Sequence, residues 1–230
     1  MRLGWPISPP AVPQDWMMRL YLSSFRIGDH PELLVTLAGE GARLAVIANA
    51  MDDAPEDVRR EGVDQELLAL IDLGFRTAEV DLRDYFGSGS ALGEALAGYD
   101  GLWVRGGNVF VLRDALKRSG ADAFITDALA QDAFVYAGYS AGPCVLAPTL
   151  RGLETVDDAT AVTRLYGSDP VWEGLGVLEY AVVPHCQSPD HPESTACDAV
   201  AEAYRIAGVP HRTLRDGQVL LVNGQSVTLH

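Results

Sequence analysis

The chain has 230 residues, of which 48% are hydrophobic, and its mean hydropathy is close to zero. This length is enough for one sizeable core, so we expect a single globular domain over residues 18–230, preceded by a loose extension over residues 1–17. The 17 Lys and Arg against 32 Asp and Glu give a net charge of -15. Such a charge repels phosphate backbones and anionic lipids, which argues against nucleic-acid and membrane partners.

The cysteines argue against a secreted scaffold. Cys144, Cys186 and Cys197 form neither an even set nor a CxxC pair, so neither disulfides nor a zinc site is indicated, and we expect a cytoplasmic protein. The first residues, Met1 to Gln14, lack the continuous apolar stretch of a signal peptide. No apolar run approaches the roughly 20 residues of a membrane span.

Short runs of β-branched and apolar residues predict strands that alternate with helices along the chain. The predicted strands are Arg19 to Leu22, Leu44 to Ala48, Thr77 to Val80, Gly101 to Val104, Phe134 to Ala137 and Tyr180 to Val183. Most are apolar throughout, which is typical of a parallel sheet buried on both faces.

Helical spacing is clearest at Pro55 to Leu73 and at Asn108 to Ser119, the second ended by Gly120. Alternating strands and helices predict an α/β fold, a three-layer sandwich around a mostly parallel, doubly wound sheet. Near the carboxyl terminus, Asp216-Gly217 and Asn223-Gly224 are turn signals on either side of Gln218 to Val222. We therefore expect an antiparallel hairpin at one edge of the sheet.

The segment Phe134 to Leu146 carries the strongest chemical signal, because an apolar strand runs into Gly138-Tyr139-Ser140-Ala141-Gly142 and then into a helix. This is the setting of a nucleophile elbow, in which glycines flank a serine on a tight turn at a helix amino terminus. The alternative is that Ser140 only caps the helix. The strand before the motif and the helix after it favour a nucleophile.

A serine nucleophile needs a base within hydrogen-bond reach. Of the five histidines, His185 follows a predicted strand that would deliver it to the same sheet edge as Ser140. We predict that His185 is the base, with His191 in reserve. A carboxylate should orient the imidazole, and Glu154, Asp157 and Asp158, all between the elbow and His185, are open candidates.

A second glycine turn, Arg105-Gly106-Gly107-Asn108, follows the strand that ends at Val104. Its backbone could aim an N–H group at a substrate oxygen and, with the amide of Ala141, complete an oxyanion hole. A phosphate-binding loop is the alternative. The turn lacks the Gly-Lys-Ser/Thr of a P-loop and the G-x-G-x-x-G spacing of a dinucleotide site, which disfavours that alternative.

Three ordered motifs resemble the S51 serine peptidases, the family of aspartyl dipeptidase (peptidase E) and cyanophycinase, whose fold is related to class I glutamine amidotransferases. The resembling segments are Gly106 to Leu112, Gly138 to Gly142 and Pro184-His185. The resemblance implies hydrolysis of short peptides at a free amino terminus without a metal or organic cofactor. It implies Ser140 as nucleophile and His185 as base.

The resemblance further implies oxyanion or substrate-binding donors at Gly107, Asn108 and Ala141. For the acid we select Glu154, because its distance from the serine is closest to the spacing in the family, which accepts glutamate. The resemblance also implies a homodimer, since members of the family often pair near the active site.

One departure concerns specificity. Aspartyl dipeptidases share a His-x-Gly-Glu-Thr-Arg stretch whose arginine pairs with the substrate aspartate, whereas this sequence has His191-Pro192-Glu193-Ser194-Thr195-Ala196. Desolvating an unpaired aspartate would cost roughly several kcal/mol. We therefore expect strict Asp-X specificity to be lost or altered.

Three other readings compete with a dipeptidase. An α/β-hydrolase-type esterase shares the GxSxG motif and the order serine, acid, histidine. An amidotransferase-like binding protein would keep the fold without turnover, although a glutamine amidotransferase itself needs a cysteine where Ser140 stands. A cyanophycinase-like enzyme would act on an aspartate-arginine polymer.

Overall fold

The computed structural model describes residues 17–230. Residues 1–16 of the predicted amino-terminal extension therefore lie outside the described part. Nine strands are present in that part: β1 (Arg19–Ser23), β2 (Arg43–Ile47), β3 (Arg76–Glu79), β4 (Gly101–Val104), β5 (Val135–Tyr139), β6 (Ala181–Val183), β7 (His211–Thr213), β8 (Val219–Asn223) and β9 (Ser226–Leu229).

Eight α-helices separate these strands in the described residues. They are α1 (Pro31–Ala38), α2 (Glu56–Asp72), α3 (Gly89–Leu96), α4 (Val109–Ser119), α5 (Ala121–Ala130), α6 (Ala141–Cys144), α7 (Ala161–Tyr166) and α8 (Ser194–Ala207). The two helices predicted from spacing correspond to α2 and α4. Gly120 follows α4 with a φ of 77°, a left-handed conformation that glycine adopts without steric cost.

The main sheet has seven strands in the order β3-β2-β4-β5-β1-β8-β9. The five strands from β3 to β1 are parallel to one another, whereas β8 pairs antiparallel to β1 and β9 antiparallel to β8. The predicted α/β class, the mostly parallel sheet and the carboxyl-terminal antiparallel hairpin are confirmed.

Two apolar layers cover the sheet. On one face, Leu34 of α1 and Leu70 of α2 pack with Tyr21, Trp103 and other inward residues. On the other face, α3, α4, α5, α6 and α8 pack around a larger cluster that includes Phe110 and Tyr136. Fully burying each such side chain contributes about 1.5–3 kcal/mol, so the two layers fix the sheet between them.

One predicted strand does not belong to the main sheet. The segment predicted over Tyr180 to Val183 forms β6, which pairs in parallel with β7 in a separate two-stranded sheet. Ala181, Val182 and Val183 are buried in the larger core cluster. Burial alone explains their apolar character, so the sequence pattern does not distinguish this sheet from the main one.

Register brings three chain segments to one edge of the main sheet. Ser23, near the carboxyl end of β1, pairs with Tyr139 of β5 and with Val219, the first residue of β8. The loop that leads into antiparallel β8 therefore meets the residues that follow β1 and β5. Within residues 17–230, no helix has the length and apolar character needed to cross a membrane.

Candidate functional site

Ser140 occupies the turn between β5 and α6. Its backbone has φ 52° and ψ -109°, a conformation that costs a non-glycine residue about 1–3 kcal/mol. The packed strand before the turn holds the residue there. The turn exposes the hydroxyl at the amino end of α6, as expected for a nucleophile elbow.

The glycines of the elbow are required by close backbone contacts. A Cβ atom on Gly138 would lie 2.4 Å from the carbonyl oxygen of Val104, and one on Gly142 would lie 2.7 Å from the same oxygen. A Cβ on Gly106 would lie 2.8 Å from the Cβ of Ser140. Any side chain at these positions would push β4, β5 and the serine apart.

His185 follows β6 and reaches Ser140, as predicted. Its Nε2 atom lies 3.1 Å from the Oγ atom of Ser140. The residue has φ 60°, and its backbone N–H donates to the Oγ atom of Ser24 at 2.8 Å. That contact ties the strained histidine to the loop after β1.

Asp216 contacts the opposite side of the imidazole. Its Oδ1 atom lies 2.7 Å from the Nδ1 atom of His185 and also accepts from the Oγ atom of Ser24 at 2.8 Å. The Asp216 backbone N–H donates to the Oγ atom of Ser188 at 2.9 Å. A carboxylate only accepts, so Nδ1 of His185 carries the proton and Nε2 is free to accept from Ser140.

Glu154, the acid selected from the sequence, lies away from the imidazole in the structure. Glu154 lies in a 3-10 turn, Leu153–Thr155, is exposed, and accepts from the backbone N–H of Gly152. Gly152 packs against the ring of Tyr204 on α8, so this loop turns towards α8 rather than towards His185. Glu154 does not contact the imidazole.

The other two acid candidates are also engaged elsewhere. Asp157 accepts from the backbone N–H of Val109 at 2.9 Å, at the start of α4. Burial raises the pKa of its carboxyl to about 7. Asp158 is exposed and pairs with Thr160 and Arg164, contacts that lower its pKa.

The predicted oxyanion donors divide into two groups. The backbone N–H groups of Gly107 and Ala141 have no hydrogen-bond acceptor among the described residues, which leaves them available to a ligand. Asn108 instead caps α4, because its Oδ1 atom accepts from Phe110 and Val111 and its amide donates to the Asp158 carbonyl. Its side chain is therefore not free to bind a substrate.

A cavity of about 210 Å³ opens beside Ser140. Its charged lining residues are Arg26, Arg105 and Glu193. Arg26 sits over the ring of Phe25. The arginine expected in the His191 loop is absent, but two arginines from other parts of the chain line this cavity.

Arg105 is mostly buried and only partly satisfied. Its side chain is 15% exposed, and the nearest carboxylate, that of Glu66, lies 3.6 Å from its Nε atom. That Nε atom has no hydrogen-bond partner. Glu66 already accepts from Trp103 and Tyr139, so its charge is shared among several donors.

His185 is held in the form that a base requires. Burial lowers its pKa, and the contact with Asp216 opposes that shift. The pKa of His185 is lowered overall, because the effect of burial is larger than that of Asp216. The imidazole therefore stays neutral to a lower pH than an exposed histidine would.

His191 lies against His185. The two rings are parallel within 2°, and their centroids are 3.6 Å apart. Together with Glu193, they are the only group of three potential metal ligands among residues 17–230. A metal ion should lie in the plane of each imidazole it binds, and one ion cannot lie in two parallel planes this far apart. The stacked geometry does not fit a shared ion.

Sequence reasoning missed Asp216 and Ser24. Asp216-Gly217 was interpreted only as a turn signal. The predicted antiparallel hairpin does not identify its partner strand in the sheet; the structure shows that β8 pairs antiparallel to β1 and so begins at the carboxyl edge of the sheet. The residue just before such a strand is brought to the serine.

Comparisons with known proteins identify the family that this chain resembles. Residues 30–230 match the family described as Peptidase family S51. A peptidase E of Streptomyces coelicolor is 32% identical over 193 residues, which are 82% of this chain and 71% of that protein. A probable alpha-aspartyl dipeptidase of Drosophila melanogaster is 27% identical over 140 residues, 59% of this chain and 55% of that protein.

Solved structures show the same fold. A putative peptidase E from Listeria monocytogenes superposes with a TM-score of 0.74 at 22% identity, covering 93% of this chain and 98% of that chain. A peptidase from an acI-B1 actinobacterium has a TM-score of 0.62 at 16% identity, covering 94% and 96%.

Proposed function

The chain belongs to peptidase family S51, and we propose that it hydrolyses short peptides with Ser140 as nucleophile, His185 as base and Asp216 as the orienting acid. The observation that carries the proposal is the continuous line of contacts from Asp216 through His185 to Ser140, at 2.7 and 3.1 Å. Nucleophile, base and orienting group in this order activate a serine hydroxyl.

The contacts support a specific order of proton movements. Ser140 attacks the carbonyl carbon of the substrate while Nε2 of His185 accepts its proton. Asp216 stabilises the imidazolium that results. His185 then gives the proton to the leaving amine, and a water molecule hydrolyses the acyl-enzyme with the same histidine as base.

Negative charge develops on the substrate oxygen during the attack. The unoccupied backbone N–H groups of Gly107 and Ala141 lie on the two turns that meet at Ser140, and each is the neighbour in sequence of a glycine in the close contacts described above, Gly106 and Gly142. Donors of this kind, fixed before the reaction, typically contribute about 2.7–4 kcal/mol each to transition-state stabilisation.

The cavity supports a short substrate. The cavity volume of about 210 Å³ is smaller than the roughly 300–1,000 Å³ of a drug-sized ligand site. One or two amino-acid residues of a substrate would fill it. This agrees with the dipeptidase name of the Drosophila relative. We propose an exopeptidase of dipeptidase type.

Charge on the cavity wall bears on specificity. Arg26 and Arg105 favour an acidic group, while Glu193 opposes one and favours a substrate amino group. Because both signs are present, we expect hydrolysis that is not confined to Asp-X peptides. A panel of X-Ala dipeptides with X as Asp, Ala, Leu and Lys, together with β-linked Asp-Arg, measures this directly.

Labelling by a fluorophosphonate tests the nucleophile. We expect one covalent adduct, mapped by mass spectrometry to Ser140, that is lost in Ser140→Ala and in His185→Ala. Ser90→Ala, an exposed serine of α3, is the matched control and should label like the unmodified chain. Absence of any adduct on Ser140 in the folded protein would exclude the serine mechanism and favour a binding protein.

A second assay separates a peptidase from an esterase. Unblocked dipeptides, the same dipeptides with acetylated amino termini, and short acyl esters are compared side by side. We expect acetylation to abolish hydrolysis, because it removes the charged amino group that Glu193 on the cavity wall would favour. Ester hydrolysis combined with indifference to acetylation would support an esterase instead.

A further inference from the structure

His191 makes the closest ring contact in the site. Its imidazole covers one face of His185 at a centroid distance of 3.6 Å, with the two planes parallel within 2°. His185 is almost completely buried, its side chain being 2% exposed. The stacked ring is therefore part of the wall that buries the base.

Several contacts fix the His191 ring. Its Nδ1 atom accepts from the backbone N–H of Glu193 at 3.3 Å, and its own backbone N–H donates to the Ser188 carbonyl at 2.8 Å. Phe25 presents an edge to both imidazoles, with centroids 5.3 Å from His191 and 5.9 Å from His185. His191 and Phe25 therefore pack against the His185 imidazole from two directions.

We propose that His191 is a positioning residue, whose stacked ring holds the plane of the His185 imidazole in line with both Asp216 and Ser140. The proposal rests on the proposed function, since it assigns His191 a role in the activity of His185. None of the His191 contacts described above involves Ser140, so any effect of His191 on the serine passes through His185.

The physical reason is the freedom of the imidazole. The bond between Cβ and an aromatic ring has a broad, roughly two-fold torsional preference, so its own torsion does not fix the ring. Only one plane brings Nδ1 to Asp216 and Nε2 to Ser140 at once. The stacked face of His191 excludes the planes that tilt away, and misplacement of about 1 Å can cost as much as 10²-fold in rate.

His191 also affects the charge on the base. The charged or titratable groups that act on His185 are Asp216 from the loop before β8, and His191 and Glu193 from the loop before α8. Arg26 and Arg105 line the same cavity. Positive charge on His191 lowers the pKa of His185. Replacing His191 by an uncharged ring removes that repulsion, so the pKa of His185 should rise.

The test compares four variants with the unmodified chain by the rate at which a fluorophosphonate labels Ser140 across pH. His191→Phe keeps a flat ring, His191→Leu keeps similar bulk without one, and His191→Ala removes both. His211→Phe is the control, because His211 lies on β7 and does not line the cavity. Thermal unfolding is measured for each variant.

We expect the plateau rate to fall roughly tenfold in His191→Leu and His191→Ala and to stay within about threefold in His191→Phe. The acid limb of His191→Phe should move to higher pH, while His211→Phe matches the unmodified chain. A role confined to stability would lower the unfolding temperature without moving the limb.

Two outcomes would overturn the proposal. Equal plateau rates in all folded His191 variants would show that the stack does not position the base. A plateau rate in His191→Phe as low as that in His191→Leu and His191→Ala would show that a flat ring at this position does not position the base. Failure of the proposed function looks different, since the unmodified chain would then not label at Ser140 at all.

Discussion

The carboxylate of Asp216 acts on His185 through more than one contact. Its Oδ1 atom receives both the Nδ1–H of His185 and the hydroxyl of Ser24, and Ser24 also accepts from the backbone of His185. The three residues form a closed ring of hydrogen bonds. This ring fixes the tautomer of the imidazole as well as its position.

Replacing Asp216 by Asn should therefore disable the base without dismantling the site. An amide can present an N–H to Nδ1 and so favour the wrong tautomer, for which a loss of roughly 10³–10⁴ in kcat is expected. Peptide hydrolysis and the rate of Ser140 labelling both measure this. Glu154→Gln is the matched control and should retain activity, because Glu154 lies on the exposed turn beside α8. Full activity in Asp216→Asn, or its loss in Glu154→Gln, would refute the assignment of the acid.

At the scale of single elements, the amino end of α4 contains a conflict between the helix dipole and burial. Asp157 accepts from the first backbone N–H of α4, a position that favours negative charge. Burial nevertheless raises its pKa from 3.8 to about 7, and Glu193 and Asp53 add to the rise. The ionised carboxylate is thus less favourable in the folded chain than in the unfolded one.

The sign of the pH effect follows from this shift. A carboxyl whose pKa is raised by folding binds more protons in the folded state, so the free energy of unfolding falls as pH rises from about 4 to 7. Asp157→Asn can still accept from Val109 but cannot ionise. Between pH 5 and pH 8, the free energy of unfolding of the unmodified chain should fall by at least about 1 kcal/mol more than that of the Asp157→Asn variant. Urea unfolding at both pH values measures this difference.

Asp158→Asn is the control for this prediction. Asp158 is the exposed neighbour, and its contacts with Thr160 and Arg164 lower its pKa. Its removal should give no gain in stability as pH rises. If Asp157→Asn shows the same pH dependence as the unmodified chain, the buried carboxyl does not titrate in this range.

Elements also show why the sequence predicts some of the site and not the rest. The elbow was predictable because its signals are local: Gly138, Gly142 and Ser140 lie within five residues of one another, and a strand precedes them. His185 was predictable because an apolar strand leads to it. In both cases neighbours in sequence carry the geometry.

Asp216 was not predicted because its position depends on pairing across the whole sheet. β8 reaches β1 only by lying antiparallel to it, and nothing near Asp216 in sequence specifies that partner. Glu154 was chosen from chain order and family spacing, which do not show that its loop turns towards Tyr204. The small β6-β7 sheet was missed for a similar reason, since apolar strands look alike in either sheet.

At the scale of the whole molecule, the net charge of the chain repels an anionic substrate, whereas the arginines on the cavity wall attract one. The net charge of -15 lowers the local concentration of anions over the surface. Arg26 and Arg105 on the cavity wall act in the other direction at short range. Salt screens the field of the whole molecule and the exposed Arg26, whereas Arg105, which is mostly buried, is screened less.

The dependence of kcat/KM on ionic strength should reveal which field governs substrate entry. We expect kcat/KM for Asp-Ala to rise roughly threefold between low salt and about 0.5 M NaCl, that for Lys-Ala to fall, and that for Ala-Ala to stay level. Arg26→Ala should steepen the rise for Asp-Ala, because it removes the cation that opposes the global field. A fall in kcat/KM for Asp-Ala with salt would show that the two arginines dominate, and that an acidic substrate is attracted despite the charge of the molecule around it.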